Sequence, residues 1–283
     1  MEAAAQILAS GILVGAEYAL AAVGMTLIFG VGRVLNLAHG IFFALGAYIT
    51  YETTRAGLPA LIGVVPAAAA GCGLGVLVER VLVRPVRGQM LTAAVVLLGL
   101  TIVAEEVFAL LWGAAYHSVP LSLPPLMIHR VVVSTEQVID AAVVVGAVGA
   151  LGFFLRTRPG LALRTTAADP EIAMLSGINV ADVRTVTFGA AGGMAAAAGA
   201  FLSPLLVLSP TMGRLPLVLS LAMVVVGGPG SVWGTLAASL AVGVASTIVA
   251  YYGTAQWSYV LALVLIVAVV ACRPASIWSE RAP

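Results

Sequence analysis

The chain has 283 residues, 61% of them apolar and 9% charged, with a mean hydropathy of +1.12 and a formal net charge of +1. Soluble domains carry about 25% charged residues, so this is the composition of a polytopic membrane protein, and its charge offers no basic field for nucleic acid. All 13 basic residues are arginine; without lysine neither a P-loop nor a pyridoxal Schiff base can be built. Any ATP that drives this protein must be hydrolysed on another polypeptide, and no cofactor is expected in this one.

The N-terminal MEAAAQILASGIL lacks the basic region of a cleaved signal peptide, so the first span is expected to stay in the protein. Apolar runs follow at 6–30, 37–54, 59–78, 90–112, 137–155, 185–203, 215–227, 234–252 and 256–272. A crossing needs about 20 such residues, and only the seventh run is too short, so it reads as a half-helix or re-entrant piece. The expectation is one all-α polytopic domain over 1–283, with eight or nine transmembrane helices and some of them broken or re-entrant. With nine crossings, Arg33, Arg80, Arg84 and Arg87, the four arginines of 156–184, Arg273 and Arg281 share one side. Only Arg55, Arg130 and Arg214 fall opposite, and that bias marks the 156–184 loop as cytoplasmic. The 113–136 segment, with Pro120, Pro124 and Pro125, then reads as an irregular outer loop. The N-terminus would lie outside and the C-terminus inside.

The first span ends in GVGRVLNLAHG, where Gly30, Gly32, Asn36, His39 and Gly40 interrupt apolar helix. Irregular backbone at membrane depth survives only where protein or a water-filled cavity satisfies it, and broken helices of this kind line transporter sites. A tight turn with Asn36 capping the second span accounts for the same residues, and for His39 a hydrogen-bonded structural role is favoured. Further along, Glu17, Glu105 and Glu106 are ionisable groups within spans, each costly in lipid and a functional candidate. Glu105 and Glu106 are about 100° apart on a helix, so they cannot share one cavity. Glu52 and Asp140 stand near span ends and read as interfacial. Cys72 and Cys272 lie in apolar runs with no metal or disulfide spacing.

The stretch from Arg156 to Arg184 carries both signs of charge at the density of a soluble protein. Within it, Asp169 suits an N-cap, Pro170 the first helical position, Glu171 the positive end of the helix dipole and Gly177 the C-terminal stop. These ends predict a helix over Pro170 to Ser176, with Ile172 and Leu175 forming a small apolar edge. Two readings fit it: a knob for another protein, or a helix lying flat on the membrane surface. Later, GGPGSVWG (residues 227–234) is glycine-rich without a following lysine, so it is a turn with close backbone approach and not a phosphate cradle. Gly228, Gly230 and Ser231 stand there as substrate-path candidates beside Asn36, His39 and Gly40. The two glycine-broken segments hint at the paired discontinuities of repeat-built transporters. The small-residue runs Ala67 to Gly75 and Gly189 to Gly199 fit close helix packing.

The stretch EYALAAVGMTLIFGVGRVLNLAHGIFFALGAYI (Glu17 to Ile49) resembles the N-terminal signature of branched-chain amino-acid ABC transporter permeases. The likeness continues at ERVLVRPVRG (Glu79 to Gly88), through the central loop, and at VVVGGPGSVWGTLAASLAVG (Val224 to Gly243). Glu17 departs from the family, which carries an apolar or small residue there. The resemblance implies a second homologous permease subunit, two cytoplasmic ATPase subunits, an extracytoplasmic substrate-binding protein, and a place in the bacterial inner membrane amid its lipid. It also implies a coupling helix, which in ABC importers carries a Glu-Ala-Ala-x-x-x-Gly context. Here Glu171, Ala173 and Gly177 match and Ile172 departs, which makes Asp169, Glu171, Ile172, Ala173, Leu175 and Gly177 the expected ATPase-coupling residues. Branched-chain amino acids, other amino acids, urea or short amides are the implied cargo. A secondary carrier or channel would need charged coupling relays, and an intramembrane enzyme a catalytic motif; neither is evident.

Overall fold

The computed structural model describes residues 2–32, 34–120, 124, 126–128, 131–254 and 256–272. Over these residues it is predominantly helical: α1 (Glu2–Gly32), α2 (His39–Arg55), α3 (Ala60–Val78), α4 (Met90–Trp112), α5 (Thr135–Phe154), α6 (Arg158–Ala168), α7 (Pro170–Leu175), α8 (Val180–Leu202), α9 (Arg214–Gly227), α10 (Val232–Tyr252) and α11 (Trp257–Cys272). Each of the nine apolar runs coincides with one helix. Six helices are long and apolar enough to cross a membrane, namely α1, α3, α4, α5, α8 and α10. The helices α9 and α11 are apolar but shorter, and α2 has 17 residues. Arg33, Arg130, Arg273 and Arg281 lie outside the described residues.

At the core, α8 packs against α1, α2 and α3, while α10 packs against α1 and α9. The apolar windows of α8 and α1 are 83% and 72% buried, against 22% for α4 and 17% for α5. The outer helices therefore turn most of their surface to lipid or to a partner. Hydrophobic burial does not drive helices together in lipid; close van der Waals packing does, and small residues allow it. The two small-residue runs read from the sequence meet each other here. A Cβ on Gly71 would lie 2.4 Å from the Gly192 carbonyl oxygen, and one on Gly75 would lie 2.4 Å from that of Phe188. The α2–α8 contact is tighter still, since a Cβ on Gly46 would come within 1.8 Å of the Ala196 carbonyl oxygen. The helices α1 and α10 run antiparallel, with Gly15 against Gly243 and a Thr26–Thr235 hydroxyl pair at 2.6 Å.

Three local features depart from the sequence reading. The 113–136 segment contains two antiparallel strands, β1 (Leu126–Ile128) and β2 (Val131–Val133), where only irregular chain is expected. Gln6 on α1 grips its Val132 from both sides, donating to the carbonyl at 2.8 Å and accepting from the amide at 2.9 Å. A second helix, α6, stands in the charged loop, where only Pro170 to Ser176 is expected. The last turns of α3 loosen into a π-turn (Glu79–Val83) and a 3-10 turn (Arg84–Val86). The buried Glu79 is satisfied there by the Arg87 guanidinium and by the Thr185 hydroxyl, the latter at 2.5 Å.

Candidate functional site

The charged loop builds α7 from its ends. Asp169 sits in an extended conformation, and its Oδ1 accepts from the Glu171 and Ile172 amides at 2.8 and 3.0 Å. Gly177 adopts φ +77°, the left-handed conformation that glycine takes without steric penalty. The Ile178 amide then returns to the Ala173 carbonyl and the Gly177 amide to that of Met174, both at 3.0 Å. This pair of bonds is the Schellman closure of a helix end. With both ends tied, six residues hold a helix that would be marginal alone. Ala173 is fully buried, whereas Ile172, Met174 and Leu175 are 56%, 57% and 88% exposed. Thus Asp169 and Gly177 shape the helix, Ala173 faces inward, and Ile172 and Leu175 stand outward beside the exposed Glu171. The sequence reading missed Met174 as a third outward apolar side chain.

The break after α1 lies deep in the bundle. His39, the first residue of α2, places Nε2 2.8 Å from the Ala21 carbonyl oxygen. Ala21 is eleven residues before the end of α1 at Gly32, roughly 16 Å back along the helix. The linker 34–38 therefore doubles back beside α1 before α2 begins. Some of its polar groups find protein partners: Asn36 Oδ1 accepts from the Ala38 amide, and the Thr101 hydroxyl of α4 donates to the Leu37 carbonyl, each at 3.1 Å, while Asn36 Nδ2 is buried with no hydrogen-bond partner among the described residues. Asn36 thus forms a local turn, and the N-cap of α2 is Ala38 without a side-chain cap. Asn36 and His39 are 2% and 1% exposed.

Gly40 does not meet the other glycine-rich segment. Its partner is Gly213, at the start of α9, whose carbonyl oxygen would lie 2.3 Å from a Cβ on Gly40. The chain between α8 and α9 is a second interruption, not singled out from the sequence, though Pro204, Pro210 and Gly213 mark it. It is tied to the 113–136 segment by backbone bonds of 3.1 and 2.9 Å between His117 and Leu208. Gly228 and Gly230, at φ +91° and +80°, turn the chain between α9 and α10. Gly230 abuts Gly30 of α1, and the Ser231 hydroxyl caps α10 by accepting from the Gly234 amide at 3.1 Å. The candidates therefore separate into two groups. Asn36, His39 and Gly40 lie at the deep break, while Gly228, Gly230 and Ser231 lie near the end of α1.

Where the two interruptions meet, a small cleft opens among Gly40, Ile41, Thr101, Glu105, Arg214 and Leu217. Arg214 makes a two-pronged ion pair across it, Nε to Glu105 Oε1 at 2.8 Å and Nη2 to Oε2 at 2.6 Å. Neighbouring Glu106 points to the exposed face of α4, as the helical spacing requires. Glu52 is partly exposed and accepts from the Trp112 indole at 2.8 Å. Asp140, by contrast, is 3% exposed. It lines a cavity with Leu61, Val64 and Phe201, because the turn of α5 that carries it packs inward. Glu17 is fully buried, and neither carboxylate oxygen has a hydrogen-bond partner among the described residues.

Comparison with known proteins covers nearly the whole length. Residues 7–270 match the family described as "Branched-chain amino acid transport system / permease component". The chain is 30% identical to the high-affinity branched-chain amino acid transport system permease protein LivH of Escherichia coli K12, over 95% of this chain and 93% of that one. It is also 30% identical to the corresponding permease protein BraD of Pseudomonas aeruginosa, over 96% and 94%. A shorter match, 36% identical over 41% of this chain, is to the fructose import permease protein FrcC of Rhizobium meliloti. No solved structure matches the chain significantly. With apolar helices throughout and a family match from the first span to the last, the chain belongs to the permease components of branched-chain amino acid transport systems.

Proposed function

We propose that this chain is the membrane-spanning permease subunit of an ABC importer for branched-chain or related small amino acids. The observation that carries the proposal is the near-full-length match to LivH and BraD, whose names state that transport. The importer sits in the bacterial inner membrane and pairs this chain with a second homologous permease, two cytoplasmic ATPases and an extracytoplasmic binding protein. The missing lysine supports ATP hydrolysis outside the chain.

In this reading nine segments cross. The linker before α2 and the chain before α9 each supply part of a passage, so a 14-residue helix such as α9 suffices. The loop carrying α6 and α7 is cytoplasmic, and α7 is the coupling helix. Asp169 and Gly177 fix its ends, Ala173 seats it, and Glu171, Ile172 and Leu175 face the ATPase. Closure of the ATPase pair on ATP displaces α7 and, through the capped start of α8, tilts the core. Substrate passes Asn36, His39 and Gly40, and Gly228, Gly230 and Ser231 turn the chain at the inner end of the path.

Gly177→Arg tests the coupling reading. A Cβ at this position would meet nothing within 4 Å, so the fold bears only the left-handed backbone cost of about 1–2 kcal/mol. The variant is expected to insert normally and to lose co-purification with the ATPases. Normal co-purification would overturn the docking role of α7. Leucine uptake by the reconstituted chain alone, without ATP, would overturn the importer reading itself.

A further inference from the structure

Arg214, the first residue of α9, follows the interruption between α8 and α9 and faces Glu105, a carboxylate of the spanning helix α4. Its side chain is 60% exposed, while that of Glu105 is 11% exposed. Apart from Glu106, the outward residues of α4 around the pair are apolar, with Ile102, Val103 and Leu110 at 57%, 60% and 84% exposure. A charged side chain so exposed, beside the midsection of a spanning helix, is costly against hydrocarbon. Such residues face a bundle interior or a water-filled cavity. The groove between α4 and α9 therefore faces water or the second permease subunit.

The chemistry of the cleft is specific. Its two poles are a guanidinium and a carboxylate that satisfy each other by paired bonds of 2.8 and 2.6 Å. Its walls are Ile41, Ala44 and Leu217, and Gly40 and Gly213 bring two backbones together at its floor. Breaking the pair without replacement would strand a charge of each sign in a partly desolvated site. A solute carrying only one charge repairs one pole and leaves the other bare. A neutral solute repairs neither.

We propose that the Glu105–Arg214 pair is a zwitterion-recognition gate in the permeation path: the α-carboxylate of an amino acid replaces Glu105 on the Arg214 guanidinium, its ammonium replaces Arg214 on Glu105, and its aliphatic side chain lies against Ile41, Ala44 and Leu217. This deepens the importer reading and rests on it. In the resting state the pair closes the cleft. An α-amino acid opens it by exchanging two internal bonds for two bonds of the same kind, so passage needs no uncompensated charge. The planar fork of arginine suits a carboxylate, which a lysine would hold only as a point charge.

The test uses the assembled importer in proteoliposomes, with Cys72 and Cys272 replaced by Ala and a single Leu217→Cys reporter in the cleft wall. The readout is the rate of thiol alkylation with L-leucine, 4-methylpentanoate or 3-methylbutylamine present. Leucine is expected to slow alkylation several-fold, and the two singly charged analogues to leave it unchanged. Equal protection by all three, or none by leucine, would overturn the gate.

A Glu105→Met/Arg214→Met double variant separates recognition from architecture, since a buried ion pair replaced by apolar residues of similar volume often keeps stability. It is expected to assemble while leucine uptake falls at least about tenfold, as when a charge-paired contact loses its partner. Wild-type uptake by that variant would overturn the gate. If the double variant does not assemble, the alkylation result decides. Failure of the unmodified importer to take up leucine, isoleucine or valine would instead overturn the underlying reading of its cargo.

Discussion

At the residue scale, glycine does two different jobs in this molecule, and only the surroundings tell them apart. Gly46 and Gly199 sit where α2 crosses α8; a Cβ would lie 1.8 Å from the Ala196 carbonyl oxygen and 1.9 Å from that of Phe43. Backbone cannot yield there as a flexible side chain does. Gly73, on the opposite face of α3 from Gly71 and Gly75, would meet nothing within 4 Å. Gly46→Ala should therefore destabilise the protein by at least about 1–3 kcal/mol through overpacking. Gly73→Ala should be neutral or stabilise slightly, since glycine inside a helix costs about 0.5–1 kcal/mol relative to alanine. Thermal unfolding in detergent compares the two, and an unchanged Tm for Gly46→Ala would refute the close approach. The sequence showed two small-residue runs fit for packing. It could not show that they pack on each other, because a Gly–Ala face carries no mark of its partner. Nor could it show the Glu105–Arg214 pair, whose members stand more than a hundred positions apart and meet only after four intervening helices fold.

At the element scale, α7 was legible because its determinants are local. Asp169, Pro170 and Gly177 lie within nine residues and act through the nearest backbone amides and carbonyls. The adjoining α6 was not. RPGLALRTTAA mixes arginines, threonines and a proline in its first turn, and its cap, Thr157, receives only a long 3.5 Å bond from Gly160. What holds α6 is its surroundings: it packs on α1 and α8, and the chain at Gly160 folds tightly onto the end of α5, where a Cβ would lie 2.0 Å from the Phe154 carbonyl oxygen. Because α7 depends on its ends, Asp169→Ala should cost about 0.5–2 kcal/mol of local helix stability. Amide exchange over 170–176 should quicken while the core helices keep their protection. Exchange unchanged across α7 would show that contacts with α6 and α8, rather than the cap, maintain it. Similarly, α9 announced itself from the sequence as a short span, whereas the interruption before it did not, since its prolines are spread through an apolar stretch.

On the scale of the whole molecule, the nine apolar runs anticipated nine of the helices, but their arrangement is not that of sequential hairpins. The first helix finds its long antiparallel partner in α10, with Gly11 against Val244, Gly15 against Gly243 and Thr26 against Thr235. Hydropathy carries no record of such distant pairing. It also sets a timetable. Chains emerge from the ribosome at about 5–20 residues per second, so the 228 positions between Gly15 and Gly243 take roughly 10–45 s. Throughout that interval Gly11 and Gly15 of α1 lack their partners on α10, while α5, α8 and α9, made earlier, supply the other contacts of the helix. A chain ending at residue 227 should therefore insert, keep its 156–184 loop, and be degraded several-fold faster than the full-length chain in pulse-chase. Co-expression of the missing residues 228–283 as a separate fragment should restore its lifetime. Equal lifetimes for truncated and complete chains would mean that α1 is secured without α10. The seal between first and tenth helices thus makes completion of synthesis a checkpoint: the Gly11–Gly15 edge of the first helix is covered only when nearly all of the protein has been made.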